Sequence, residues 1–528
     1  MKRLIIASAM SLVLAGATQA KTLIYCSEGS PEGFDPALYT SGTTFDAASK
    51  PIYNRLVEFE RGTTNVIPGL AESWTVSDDG LEYTFKLRAG VKFHSNDNFT
   101  PTRDFNADDV VFSFDRQRNT DNPWNKYVEN TAWEYFDGMD MPSLIKSVEK
   151  VDDLTVKMVL NRPEAPMVAN LAMDFASIVS KEYADQLEAA GNQADLNQAP
   201  IGTGPFQFVG YQKDAVIRYQ AHAGYWGGKQ PLDNLVFAIT TDNAVRTQKL
   251  LAGECHVAPY PNPADLDMLK AADNINVMEQ EGLNVGYLAY NTQVEPFDNP
   301  MVRKALNHAI NKQAIIDAVF EGQGKIAKNP IPPTMWSYDE STVDDAYDPE
   351  KAKAMLAEAS VSDLSMKVWA MPVARPYNPN ARRMAELIQA DFAAVGVNTE
   401  VVSYEWGEYL SLSKETNRDG AVLLGWTGDN GDPDNFLAVL LGCAGVGGSN
   451  RAQWCNQEFD DLVNQAKQVS DQAERTALYK KAQAVFKREA PWATIAHSVV
   501  FMPMNKNVVG YKMDSLGGHR FDGVDLAE

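Results

Sequence analysis

Two apolar rhythms alternate along this chain, and their interleaving restricts it to a mixed fold. In Leu81-Glu-Tyr-Thr-Phe-Lys-Leu-Arg88 the apolar Leu81, Tyr83, Phe85 and Leu87 alternate with polar neighbours, the period of a half-buried strand. Asp78-Asp79-Gly80 just before it is a turn signal. Asn106 then precedes an apolar-periodic stretch from Ala107 to Arg116 with acids in its first turn, which predicts a capped helix start. Asn299-Pro300 predicts a second helix, with Val302, Ala305, Leu306, Ala309 and Ile310 on one face. A third is predicted from about Ala381, where Met384, Leu387, Ile388, Phe392 and Val395 share a stripe and Gly396 supplies the stop. Such stripes are read as core. Strands and helices mixed throughout indicate α/β or α+β rather than a pure class. A chain of 528 residues exceeds what one hydrophobic core organises, so at least two domains are expected. No low-complexity linker or internal repeat separates them.

The N-terminus predicts the compartment. Lys2 and Arg3 precede a short apolar run from Leu4 to Gly16, and Thr18 and Ala20 fit the small-residue positions before a cleavage point. Residues 1–20 therefore read as a secretory signal, and no Cys at the cleavage point suggests a lipid anchor. No later stretch approaches the ~20 apolar residues of a membrane helix, so a soluble, exported product is expected. The net charge of -23 argues against nucleic acid and anionic membranes as partners. Four cysteines, Cys26, Cys255, Cys443 and Cys455, form an even set that allows three pairings in an oxidising compartment. Cys443 and Cys455 flank the Gly-rich turn Ala444-Gly-Val-Gly-Gly-Ser-Asn450, which can bring them together. A zinc site is the rival reading, but neither CxxC nor a nearby His supports it.

Motifs for catalysis are missing or incomplete. HExxH and GxSxG do not occur, and Gly202-Thr-Gly204 has Gln207 where a dinucleotide fingerprint needs Gly. Gly224-Tyr-Trp-Gly-Gly-Lys229 has the wrong spacing for a phosphate loop and is followed by Gln230 instead of Ser or Thr. SxxK occurs at Ser411/Lys414 and at Ser143/Lys146, in neither case with a KTG partner. The six histidines, His94, His222, His256, His308, His497 and His519, make no local metal-ligand spacing. No enzyme, metal or cofactor is expected.

Four segments resemble the large bacterial solute-binding proteins for peptides, dipeptides, nickel and haem that feed ABC importers. They are Pro68-Gly-Leu-Ala-Glu-Ser-Trp74 with the strand after it and Arg88 to His94; Asn106 to Arg116; Ile201-Gly-Thr-Gly-Pro-Phe206 with Gly224-Tyr-Trp-Gly227; and Val302 to Lys312. Their order spans nearly the whole chain. Further segments are similar to the dipeptide-binding members: Tyr25 to Phe34, Thr40 to Thr44, Tyr260 to Asp265, Arg375 to Arg383 and Gly425 to Phe436. The resemblance implies the pairs Cys26–Cys255 and Cys443–Cys455.

The implied fold is an α/β two-lobed periplasmic binding-protein clamp of the large peptide-binding type, with an extra subdomain inserted in lobe one. Lobe one would comprise 21–55, 190–285 and 495–528, the inserted subdomain 56–189, and lobe two 286–494, with two chain crossings as hinge. By resemblance, Asp429 would bind the α-ammonium of a dipeptide. Arg375 would take its α-carboxylate, for which a planar guanidinium is suited. Thr40, Ser41, Gly42, Tyr377 and Trp426 would line the cleft, while Asp432 and Asp434 are read as turn and cap residues. The implied partner is an inner-membrane ABC permease served by a periplasmic monomer. Other cargoes of the same family are oligopeptides, glutathione, nickel or haem, and haem binding would be compatible with peptide binding. From other classes, the rivals are a secreted peptidase and a structural envelope protein.

Overall fold

The computed structural model describes residues 20–128 and 132–527, so the expected signal segment lies, but for Ala20, outside the described residues. The local signals produce the elements expected of them. The alternating segment forms the strand Glu82–Leu87, with Tyr83, Phe85 and Leu87 buried. Asn106 caps the helix Ala107–Arg118 through a capping box completed by Asp109. The Asn299 side chain accepts from Met301 N–H at 2.9 Å and opens Pro300–Ala309, whose apolar face is buried. Asn380 does the same for Ala381–Ala394, and Gly396 follows in the left-handed region at φ +83°. Leu387 is only half-buried, at the edge of a stripe whose other members are core.

Three sheets carry the architecture. The first is four-stranded, ordered Thr22–Tyr25, Asn234–Ala238, Val216–Ala221, Phe206–Gln212, with only the first pair parallel. A disulfide between Cys26 and Cys255, Cα atoms 5.8 Å apart, ties the end of its first strand to the following layer. The second sheet is antiparallel, ordered Ala71–Val76, Glu82–Leu87, Thr155–Leu160, Ile145–Asp152. The third has seven strands. Its path runs Ile275–Glu281, Trp492–Asn505, Asn284–Tyr290, Ala421–Thr427, Ser365–Trp369, Asn398–Val402, and Gly324–Ile326 joins on Trp492–Asn505. The last two strands of the path, and the pairing of Ser365–Trp369 with Ala421–Thr427, are parallel.

The long strand Trp492–Asn505 joins two bodies. Its first half pairs with Asn284–Tyr290 and its second half with Ile275–Glu281. Where it changes partner, Ser498 N–H donates to Asn284 Oδ1 at 3.1 Å and Gly282 N–H donates to Ser498 O at 2.9 Å. The two bodies form a clamp whose cleft lies on the Ala421–Thr427 side of this junction. Among the described residues no helix is long and apolar enough to cross a membrane.

Candidate functional site

The cleft holds about 810 Å³ free of protein atoms, mouth included, within the size range of small-ligand sites. Its wall brings together all seven residues expected there: Thr40, Ser41, Gly42, Arg375, Tyr377, Trp426 and Asp429. They come from three separate stretches of sequence.

The strand Ala421–Thr427 and the turn after it supply the acidic pole. Asn435, on the helix Asp434–Leu441, accepts from Asp429 N–H at 2.8 Å and from Trp426 Nε1–H at 2.9 Å. One amide oxygen thus fixes both the turn and the indole. The Asp429 carboxylate accepts a hydrogen bond from the Tyr135 hydroxyl, and Tyr135 meets the Trp426 ring edge-on at 6.0 Å. Burial pushes the Asp429 carboxyl up to about 7; the Tyr135 hydrogen bond opposes this and the nearby Asp174 charge adds to it. Asp174 itself is paired with Lys50 at 2.8 Å. Burial works against its charge, but Lys50 and Arg55 hold its carboxyl below the usual value.

Arg375 forms the basic pole. Its backbone pairs with Asn378 in a tight turn, N–H to O at 3.0 Å and 2.9 Å. The guanidinium donates to Glu28 and lies 5.2 Å from the centre of the Tyr260 ring. Burial disfavours its charge, yet Tyr260 and Glu28 hold its pKa above the ordinary value. Its Nη2 faces Gly42, where a Cβ would sit 2.5 Å from it, so a larger residue there would have to displace the guanidinium. Ser41 Oγ–H donates to Glu32 at 2.7 Å and Thr40 Oγ1–H to Glu134 at 3.2 Å, which orients this segment along the rim. Tyr377 packs flat on the strand because Gly425 and Gly286 carry no side chain beneath it.

Several wall residues escaped the sequence reading: Asp46, Lys50, Asp174, Trp406, Ser449 and Arg451. Tyr135, which holds Asp429, was missed as well. No local motif marks any of them, and Tyr260 appeared only within a segment carrying the family resemblance. Asp432 behaves as the expected turn residue, while the cap reading of Asp434 requires a correction. Asp432 does accept from Asp434 N–H at 3.0 Å, but it also pairs with Arg475 at 2.8 Å. Asp434 is the first residue of its helix rather than its cap, and both its carboxylate oxygens lack a hydrogen-bond partner among the described residues. The turn Asn430–Pro433 already supplies the helix start, and that carboxylate is buried among the charges of Lys467, Asp432 and Arg475.

The second disulfide closes a wall of the cleft. Cys443 and Cys455 are joined with Cα atoms 4.5 Å apart, and the loop between them carries Ser449 and Arg451.

The profile of the bacterial extracellular solute-binding proteins, family 5 middle region, matches residues 65–448. The chain is 58% identical over 521 residues to the dipeptide-binding protein of Escherichia coli (strain K12), covering 98% of this chain and 97% of that protein. It is 50% identical over 513 residues to heme-binding protein A of Haemophilus influenzae, covering 97% and 93%. The crystal structure of a dipeptide-binding protein from Pseudoalteromonas sp. SM9913 in complex with Met-Leu superposes with a TM-score of 0.93 at 40% identity, covering 96% of this chain and 100% of that one. With the profile spanning most of the chain, this protein belongs to family 5 of the bacterial extracellular solute-binding proteins.

Proposed function

We propose that the chain captures dipeptides between its two lobes, with Asp429 holding the α-ammonium and Arg375 the α-carboxylate. As a member of a solute-binding family, it is a binding protein and not an enzyme. The observation that carries the dipeptide reading is the charge balance of the cleft. Asp46, Asp174 and Asp429 share its wall with Lys50, Arg375 and Arg451. Enclosing a zwitterion strips water from both its charges, which is tolerated only where each meets a partner of opposite sign. A cleft with separate acidic and basic poles meets that condition. Similarity over nearly full length to dipeptide-binding proteins supports the same cargo.

In this reading Thr40, Ser41, Gly42, Tyr377 and Trp426 frame the peptide. Lobe one is 21–55, 190–285 and 495–528, with 56–189 inserted, and lobe two is 286–494. Residues 1–20 direct export to the periplasm and are removed, and a monomer hands its cargo to an inner-membrane ABC permease. Native mass spectrometry of the purified protein tests the cargo. Bound masses in the range of two amino acids are expected; bound peptides of four or more residues would overturn it. Haem is a second ligand to test, on the strength of the heme-binding relative, by visible absorbance during haem titration.

A further inference from the structure

The loop closed by Cys443 and Cys455 places an arginine in the cleft wall that the two peptide-terminus anchors leave unused. Arg451 is 4% exposed, lines the cleft, and has no carboxylate within ion-pair distance among the described residues. Its Nε–H donates to Ser413 Oγ at 3.0 Å and its Nη1 to Gly448 O, both neutral acceptors. Arg246, Arg303 and Arg418 are also buried and donate only to carbonyl oxygens, but of these four arginines only Arg451 lines the cleft, where a ligand can supply a counter-charge. The Arg451 charge is felt by Glu32, but Glu32 already accepts from Ser41 and lies beside Lys414 and Glu134. Beside Arg451, Ser449 is buried in the same wall, its hydroxyl without a hydrogen-bond partner among the described residues. The same cleft is also lined by Trp406, Leu410, Leu424 and Tyr287.

The position of the pair is fixed by the loop. Asn450, between Ser449 and Arg451, donates from Nδ2 to Gly442 O at 3.1 Å and to Trp454 O at 2.7 Å. Arg418 donates to Arg451 O at 2.9 Å, and Cys443 N–H donates to Asp460 Oδ1 at 2.8 Å. The guanidinium is therefore held in place before any ligand arrives, the condition under which a charged group discriminates between ligands.

We infer that Arg451 and Ser449 form a side-chain subsite that selects dipeptides carrying an acidic side chain at the position facing the disulfide loop. The inference rests on the dipeptide reading above. A glutamate or aspartate side chain there would supply the missing counter-charge, with Ser449 Oγ–H as a second donor. A lysine side chain would bring a like charge into an enclosed space.

Calorimetric titration of the whole protein with Ala-Ala, Ala-Glu, Ala-Lys, Glu-Ala and Lys-Ala tests this. At one of the two positions, the glutamate peptide is expected to bind at least about tenfold tighter than the lysine peptide, the scale of one desolvated charge contact. Arg451→Met is expected to bring that ratio close to one, Arg451→Lys to retain part of it, and Ser449→Ala to lower it less. Melting curves establish that each variant is folded. A wild-type ratio near one at both positions, with Ala-Ala still bound, overturns the subsite and leaves the dipeptide reading standing. An unchanged ratio in Arg451→Met, with all peptides weakened alike, makes Arg451 an anchor for the peptide main chain and also overturns it. Failure of every peptide, Ala-Ala included, would instead defeat the dipeptide reading.

Discussion

The hydroxyl of Tyr135 donates to the carboxylate of Asp429, a residue 294 positions further along the chain. This bond occupies the acid that the account assigns to the peptide ammonium. Like the pairing of Arg375 with Glu28 and of Lys414 with Glu134, it ties together segments far apart in sequence. Ligand charges would enter a network that is already charged.

The first consequence is a pH dependence of binding. Burial raises the Asp429 carboxyl to about 7 without ligand, so at pH 6 it is largely protonated. A bound ammonium favours the ionised form and lowers that pKa, so binding below pH 7 releases a proton. Affinity is then expected to rise with pH, by up to about tenfold per unit from pH 5.5 to 7, and to level off above. A second fall is expected above about pH 8, where the peptide's own amine loses its charge. Titration in two buffers of different ionisation heat reads the proton count, and no proton release at pH 6 would contradict the assignment.

Removing either pole should weaken binding. Asp429→Ala or Arg375→Ala is expected to cost about 2–5 kcal/mol of dipeptide affinity, the scale of breaking a buried charge pair. Arg375→Ala also leaves Glu28 buried without its partner, so its melting temperature should fall as well. Calorimetry and thermal melts on the same samples separate the two effects. Wild-type affinity in either variant counts against the poles.

A buried cluster away from the cleft predicts a pH-dependent stability. Ala165 N–H donates to Lys467 O at 2.7 Å, bringing Glu164 against the helices Gln457–Gln468 and Asp434–Leu441. Burial pushes the Glu164 carboxyl up to about 8 and that of Asp434 to about 6, with Lys467 opposing both shifts. The other charges facing them are Asp432, Arg475, Arg162 and Asp140. A carboxyl raised in the folded state favours folding at low pH, and this contribution is lost as pH rises from the unfolded value near 4.5 through about 8. Glu164→Gln keeps the shape without the charge. It is expected to stabilise the protein by about 1–3 kcal/mol at pH 8 and by little at pH 5. Denaturant melts at the two pH values check this, and equal effects at both would contradict it.

The Cys443–Cys455 loop should matter for both stability and selectivity. Its 12-residue separation corresponds to about 3 kcal/mol in the chain-entropy model. The double Cys443→Ser, Cys455→Ser variant is expected to lose stability on that scale in urea melts. An unchanged midpoint would mean that the hydrogen bonds of Asn450 hold the loop unaided.

Local signals in the sequence were enough for the elements. The side-chain caps at Asn106, Asn299 and Asn380 act within three residues, and each helix begins where its cap predicts. The cleft was only partly legible. Asp429 and Arg375 were named through family resemblance, because a single charged loop residue carries no spacing that sets it apart. Tyr135, Lys50 and Asp174 meet Asp429 only once segments hundreds of residues apart have come together, and nothing within ten residues of any of them anticipates the contact. Arg451 was hidden differently: the Gly-rich turn was read as a device for closing a disulfide, and its role in presenting a guanidinium appears only once the wall is assembled.

The central claim is that the cleft recognises both termini of a dipeptide at once. Its most direct test is calorimetry with Ala-Ala, N-acetyl-Ala-Ala, Ala-Ala amide, free alanine and Ala-Ala-Ala-Ala. Tight binding is expected for Ala-Ala alone, with either blocked form weakened by at least about a hundredfold, as the loss of a buried charge contact requires. Blocked peptides or tetra-alanine binding as tightly as Ala-Ala would contradict it.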